Sequence, residues 1–154
     1  MSAITVIKQL KRKKETVSVA ESITGGGLGS ALTEISGASM VFLGGIIAYD
    51  EDVKVRELGI SKKLLKKKSA VSEEVATEMA NAVRKKFNSD YGIATTGVAG
   101  PGKAYGQKAG TVWIAISSAN NTIAIPLALS GDRNSIRKAT IESAFALFSR
   151  ILRG

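Results

Sequence analysis

The 154-residue chain contains no histidine and no cysteine. A Ser-His-Asp triad, a thiol nucleophile, an HExxH zinc site and a four-cysteine zinc site are therefore excluded. Any nucleophile must be Ser, Thr, Lys or a carboxylate, and any base Lys, Tyr, Asp or Glu. Zero cysteines also fit a reducing compartment, and a cytoplasmic location is expected. Proline occurs twice, with no low-complexity linker or internal repeat, so residues 1–154 are expected to form one domain. A chain of this length buries about two-thirds of its unfolded surface. No apolar run reaches the length of a signal peptide or a membrane span, so no membrane partner is expected. Aromatic residues make up 5% of the chain, too few to suggest a stacking platform for single-stranded nucleic acid.

Positive charge is what the chain has in excess, with 22 basic against 13 acidic residues and a net charge of +9. Two runs, Lys11–Lys14 and Lys62–Lys68 (KKLLKKK), hold nine of the basic residues, and without them the balance is 13 to 13. The excess is local. Such runs attract polyanions, but solvated helix faces are the simpler reading, and nucleic acid is not expected as a partner.

Hydrophobic periodicity gives a mostly alternating order of helix and strand. Residues 3–14 read as a helix, 16–20 as a buried strand, 27–35 as a helix and 42–49 as a second strand. Ser72 has the features of an N-cap, with Glu73 and Glu74 in the first helical turn where the dipole favours them. Val75, Met79, Val83 and Phe87 recur at helical spacing and read as core. Residues 91–95 form a third strand. Residues 111–118 and 122–129 read as a hairpin turning at Asn120-Asn121. A final helix over about 135–152 places Ile141, Ala144, Phe145, Phe148 and Leu152 on one face. This pattern predicts a three-layer α/β/α sandwich with a mixed, mostly parallel sheet, in which ligands bind beyond the strand ends.

Two glycine-rich loops follow predicted strands. In the first, Ser22-Ile-Thr24-Gly25-Gly26-Gly27, the dinucleotide pattern GxGxxG is incomplete, and no acidic residue stands at the ribose spacing. What remains is backbone able to aim N–H groups at an anion beside a helix start. The second, Gly97-Val-Ala-Gly100-Pro-Gly102-Lys103-Ala, matches GxxxxGK but lacks the Ser/Thr that would hold magnesium, and Pro101 removes an N–H. An ATP-binding loop is not supported, and a structural turn is the bland alternative for either loop. No metal site or cofactor is expected.

A third stretch runs from Gly37 through Ser39, Gly44-Gly45 and Tyr49 to Lys54. Adjacent glycines in a strand suggest close approach by another backbone or a ligand. Lys54 falls on the first helical turn after the strand. A serine beside a lysine can replace a Ser-His pair if burial lowers the lysine pKa enough to make it a base. Spacing alone favours a solvated lysine.

The segments AESITGG (20–26), GASMVFLGGIIAYDEDVK (37–54), VSEEVATEMA (71–80), TTGVAGPG (95–102), GTVWIA (110–115) and SGDR (130–133) resemble the CinA C-terminal domain family. The resemblance spans about residues 5–152 with the motifs in order. Several members of that family are nicotinamide mononucleotide deamidases. The resemblance implies a five-stranded α/β/α sandwich and a metal-free Ser/Lys amidohydrolase that forms nicotinate mononucleotide and ammonia. Its motif positions fall on Ser22, Thr24, Ser39, Tyr49, Lys54, Thr96 and Arg133.

Ser22 and Ser39 both qualify as nucleophile. Ser39 is favoured because it shares a short segment with Tyr49 and Lys54, and Tyr49 is expected to position the lysine. Ser22 and Thr24, with Gly25 and Gly26, would then bind the substrate or its developing oxyanion. Thr96 and Gly97 would hold the ring or carboxamide. Arg133, with backbone N–H groups of Gly100 to Gly102, would receive the phosphate. This chain departs from the family in Asp50-Glu-Asp-Val53, whose carboxylates favour a protonated Lys54, and in a short Lys103–Ala109 loop. A homo-oligomer is expected. The rival readings are a nucleotide- or RNA-binding module without catalysis and an inactive subunit, both on the same fold.

Overall fold

A computed structural model describes residues 2–154. Its elements are α1 (Ala3–Lys13), β1 (Val17–Glu21), α2 (Gly27–Thr33), a 3₁₀ turn (Ala38–Met40), β2 (Phe42–Ile47), α3 (Glu51–Leu58), α4 (Lys62–Lys68), α5 (Glu73–Phe87), β3 (Tyr91–Gly97), β4 (Thr111–Ser117), β5 (Thr122–Ala128) and α6 (Arg133–Arg153). Local chemistry sets several of these boundaries. The Ser72 hydroxyl accepts the Val75 N–H at the start of α5, Ser61 does the same for Leu64, and Asp132 for Ser135. The hairpin closes through the Ser118 N–H on the Asn121 carbonyl, which puts Ala119-Asn120 at the turn, one residue earlier than the expected Asn120-Asn121.

Among the described residues, five strands form one sheet in the order β2-β1-β3-β4-β5. β1 is parallel to both β2 and β3, while β4 is antiparallel to β3 and β5. Four strands thus point one way and β4 the other, which is the mixed, mostly parallel sheet expected. The strand pairings themselves divide evenly between the two types.

Two unlike faces result. Val17, Val19, Ile93, Ile114 and Ile116 project towards α1, α2 and α6 and build the larger core. Tyr91 meets Phe148 edge-on there, with ring centroids 5.1 Å apart. On the other face Ala20, Ala94 and Ala115 meet Val75, Ala76, Met79 and Val83 of α5. Small residues on that face let α5 lie close to the strands. The Gly44-Gly45 pair has the cause its sequence suggested: a Cβ on Gly45 would stand 2.3 Å from the Val19 carbonyl oxygen of β1.

The parallel strands fix where a site can form. Glu21, Ile47 and Gly97 end β1, β2 and β3 at the same edge, where β4 begins and β5 hands over to α6. No helix among the described residues is long and apolar enough to cross a membrane.

Close packing of α5 on the sheet makes Gly92 intolerant of a side chain. A Cβ there would lie 2.3 Å from the Ala80 carbonyl oxygen and 3.0 Å from the Arg84 nitrogen, both backbone atoms of α5. Gly92→Ala is expected to cost roughly 2–3 kcal/mol, as overpacking of a core does. Urea denaturation of the variant measures it, and an unchanged midpoint would mean that α5 can shift at little cost.

Candidate functional site

The site is built on the turn after β1. Glu21 ends the strand fully buried, and its carboxylate accepts the N–H groups of Leu28 (2.7 Å) and Gly29 (2.9 Å). Thr24 donates its hydroxyl to the same carboxylate at 2.6 Å and lies 2.8 Å from the Thr95 hydroxyl. These bonds satisfy donors at the start of α2 that the helix cannot satisfy itself. The Ser22 N–H bonds the Thr95 carbonyl, continuing the ladder with β3 one residue past β1. Gly25 (φ 55°) and Gly26 (φ 101°) then reverse the chain into α2 through conformations costly for other residues.

Lys54 comes to this turn from α3. Asp50 caps that helix by accepting the Asp52 N–H, and Lys54 sits one turn in with 1% of its surface exposed. Its Nζ donates to Ser22 Oγ at 2.9 Å, to the Ala48 carbonyl at 2.7 Å and to the Tyr49 carbonyl at 3.1 Å. Burial pushes the Lys54 pKa down from 10.5 to about 8, against the opposing pull of Glu51 and Asp50. The neighbouring acids favour the protonated lysine, as expected, and desolvation is the larger effect, so the net shift is downward.

Ser22 and Lys54 open onto a cleft of about 290 Å³ that the residues 97–105 wall on one side. Thr96 lines it, donating its hydroxyl to the Ala70 carbonyl at 2.7 Å. Arg133, exposed at the start of α6, donates to the Gly100 carbonyl and, at 3.0 Å, to the Tyr49 hydroxyl. Gly97, Gly100 and Gly102 line the same cleft. A larger groove of about 1150 Å³ lies between α1, α2 and α6, away from Lys54, and none of its lining acids and bases is fully buried. Among the described residues, no group of three or more acidic side chains is placed to hold a metal ion.

Ser39 is not in the site. It is exposed on the 3₁₀ turn that precedes β2, whereas Lys54 follows the far end of that strand. The six residues of β2 separate the two ends by roughly 20 Å. Proximity in sequence misled here because an extended strand carries its two ends to opposite edges of the sheet. Thr24, Gly25 and Gly26 stand behind Ser22 as supports and do not line the cleft. Tyr49 holds Lys54 through its backbone carbonyl, while its side chain reaches Arg133 at the mouth.

Other contributors had no signature as site residues. Arg137 donates to the Ile23 carbonyl (3.1 Å) and the Thr24 carbonyl (2.9 Å), bracing the serine turn from α6. Its spacing of four from Arg133 was the only available hint. Ala70 and Val71 enter the cleft wall by tertiary packing, which no local pattern announces.

The family model described as the CinA C-terminal domain matches residues 2–152. The chain is 42% identical over 149 residues to a CinA-like protein of Frankia casuarinae, covering 97% of this chain and 34% of that one. It is 42% identical over 146 residues to a CinA-like protein of Fervidobacterium nodosum, at 94% and 36% coverage. It thus spans about a third of the length of these curated relatives. Among solved structures it is similar to the competence/damage inducible protein CihA from Agrobacterium tumefaciens, with TM-score 0.94, 32% identity and coverage of 99% and 93%. It is also similar to a competence-damaged protein (CinA) superfamily protein from Klebsiella pneumoniae, with TM-score 0.95, 27% identity and coverage of 98% and 95%.

A lysine with its pKa lowered by folding weakens the fold at pH values where it is charged. Between about 8 and 10.5 the unfolded chain binds the proton that the folded chain releases, so this contribution to stability rises with pH across that window. Lys54→Met removes the penalty and keeps most of the volume. The variant is expected to match or exceed the wild type in melting temperature at pH 7 and to lose that advantage by pH 10. Thermal unfolding across this range checks it, and a lower melting temperature for the variant at pH 7 would contradict it.

Proposed function

The chain belongs to the CinA C-terminal domain family, and from that premise we propose that it is a serine amidohydrolase acting on nicotinamide mononucleotide. The observation that carries this reading is the buried Lys54 nitrogen 2.9 Å from Ser22 Oγ at the floor of a cleft. Ser22 thereby replaces Ser39 as the nucleophile. When Lys54 is neutral it has two N–H bonds, and the carbonyls of Ala48 and Tyr49 are placed to accept both. That leaves the lone pair directed at the serine hydroxyl, the geometry a general base needs.

The steps follow from this arrangement. Ser22 Oγ attacks the carboxamide carbon while its proton passes to Lys54 Nζ. The resulting ammonium delivers the proton to the departing nitrogen, so the C–N bond breaks and ammonia leaves. Water then attacks the ester carbon with Lys54 again as base, and nicotinate mononucleotide departs with Ser22 restored. Proton traffic needs no group beyond the pair. Arg133 is the residue we assign to the phosphate, since it is exposed at the mouth and carries a planar fork of donors.

With a pKa of about 8, roughly one lysine in ten is neutral at pH 7. Ammonia release from nicotinamide mononucleotide is therefore expected to rise about tenfold from pH 7 towards a plateau above pH 9. Ser22→Ala should lower kcat by several orders of magnitude and Ser39→Ala should leave it near normal. A flat pH profile, or an active Ser22→Ala variant, would overturn the proposal.

The phosphate assignment has its own test. Arg133→Ala should raise KM for the mononucleotide about 10- to 100-fold, the worth of a charge-assisted hydrogen bond. Residual hydrolysis of nicotinamide riboside, which lacks the phosphate, should hardly change. Equal losses on both substrates would instead make Arg133 a support for the cleft wall, through its bonds to Gly100 and Tyr49.

A further inference from the structure

The short loop after Pro101 has a built geometry. Ala104 and Gln107 exchange both backbone hydrogen bonds, at 3.0 and 2.9 Å, and the two residues between them take left-handed conformations, Tyr105 at φ 54° and Gly106 at φ 70°. Such two-residue turns favour Asn, Asp or Gly at the first position, and tyrosine is a strained choice there. Gln107 pins the turn to the cleft wall by donating its side-chain amide to the Val71 carbonyl at 2.9 Å. The tyrosine so held lines the same cleft as Ser22, Lys54 and Tyr49, with about half of its surface still exposed. Local strain kept at a cleft mouth points to a job for the side chain.

Charge around that mouth is divided. Arg133 and Lys103 supply positive charge, yet Tyr49 is followed by Asp50, Glu51 and Asp52, three successive acids in a chain of net charge +9. The carboxylates of Glu51 and Asp50 act on Lys54 and on Tyr105 alike. Burial, then Glu51, Tyr49 and Asp50, raises the Tyr105 pKa above its ordinary value. Aromatic faces beside carboxylates attract a flat organic cation, whereas the basic end of the mouth suits a phosphate.

We propose that Tyr105, with Tyr49, is the specificity device of this cleft and selects a positively charged, N-substituted pyridinium ring over its neutral dihydropyridine form. The ligand class rests on the amidohydrolase reading above, while the selection rests on the mouth. Oxidised and dihydro nicotinamide mononucleotide share the ribose and phosphate, so their affinities differ through the ring.

Calorimetric titration of the Ser22→Ala protein with each nucleotide reads this without chemistry. The oxidised form is expected to bind about tenfold or more tightly, the size of a partly desolvated cation–π contact. Tyr105→Leu, added to Ser22→Ala, should remove most of that ratio by weakening the oxidised form alone, and Tyr105→Phe should keep it. Equal affinities in the Ser22→Ala protein, or a Tyr105→Leu change that weakens both forms equally, would overturn the proposal. Ammonia release by the wild type, measured beside this, separates the two readings. Hydrolysis without ring selectivity leaves the amidohydrolase standing and removes the inference. Selectivity without hydrolysis does the reverse, and binding of neither nucleotide removes both.

Discussion

The Glu21 carboxylate, buried where β1 ends, accepts three hydrogen bonds at once, from the Thr24 hydroxyl and the N–H groups of Leu28 and Gly29. Buried polar groups are costly unless paired, so each of these bonds constrains the others. The chain between Glu21 and Leu28 can close in few ways that satisfy them all, and Gly25 and Gly26 provide the left-handed steps it requires. Ser22 is held inside that closed turn. Its neighbours on β3 and α6, Thr95 and Arg137, brace the same turn from two other directions.

The second constraint is electrostatic. Burying an ammonium group is expensive, and Lys54 is tolerated because two carbonyls and a serine oxygen receive its protons. Those partners offset only part of the cost. The remainder appears as a lowered pKa, which is what a base working near neutrality needs. Asp50 and Glu51 oppose this shift without reversing it, because they are exposed and screened by water while the Nζ is not. Asp50 also has a structural duty as the cap of α3, so its charge near the lysine is tied to the helix that carries the lysine.

Topology brings the remaining parts within reach. Three parallel strands deliver their ends to one edge, and the reversed β4 lets the long 98–110 connection return across that edge as a wall. The tight approach of α5 to an alanine-lined sheet keeps the opposite layer thin, so the Ala70–Val71 segment before α5 reaches the cleft. The bonds from Thr96 to the Ala70 carbonyl and from Gln107 to the Val71 carbonyl then join the wall to the sheet. The cleft is a product of all three layers.

Much of this was legible in the sequence. Periodicity located the strands and the long helices, the Ser72 cap falls where local hydrogen-bonding rules put it, and the hairpin turn lies within one residue of its expected place. The absence of histidine and cysteine narrowed the nucleophile and base to a few side-chain types, the family resemblance implied a Ser/Lys pair among them, and Ser22, Tyr49, Lys54, Thr96 and Arg133 do meet at one cleft. The choice between two serines was not legible. Ser39 is nearer to Lys54 along the chain, yet Ser22 is nearer in space, because β2 pairs in parallel with β1 and sets the end of one beside the end of the other. Whether the acids at 50–52 or the surrounding apolar atoms would govern Lys54 was equally a question of burial. Composition and local pattern act through neighbours in sequence and could decide the elements and the kinds of chemistry available. Distance and desolvation depend on which strands lie side by side, and only the packed sheet decided those.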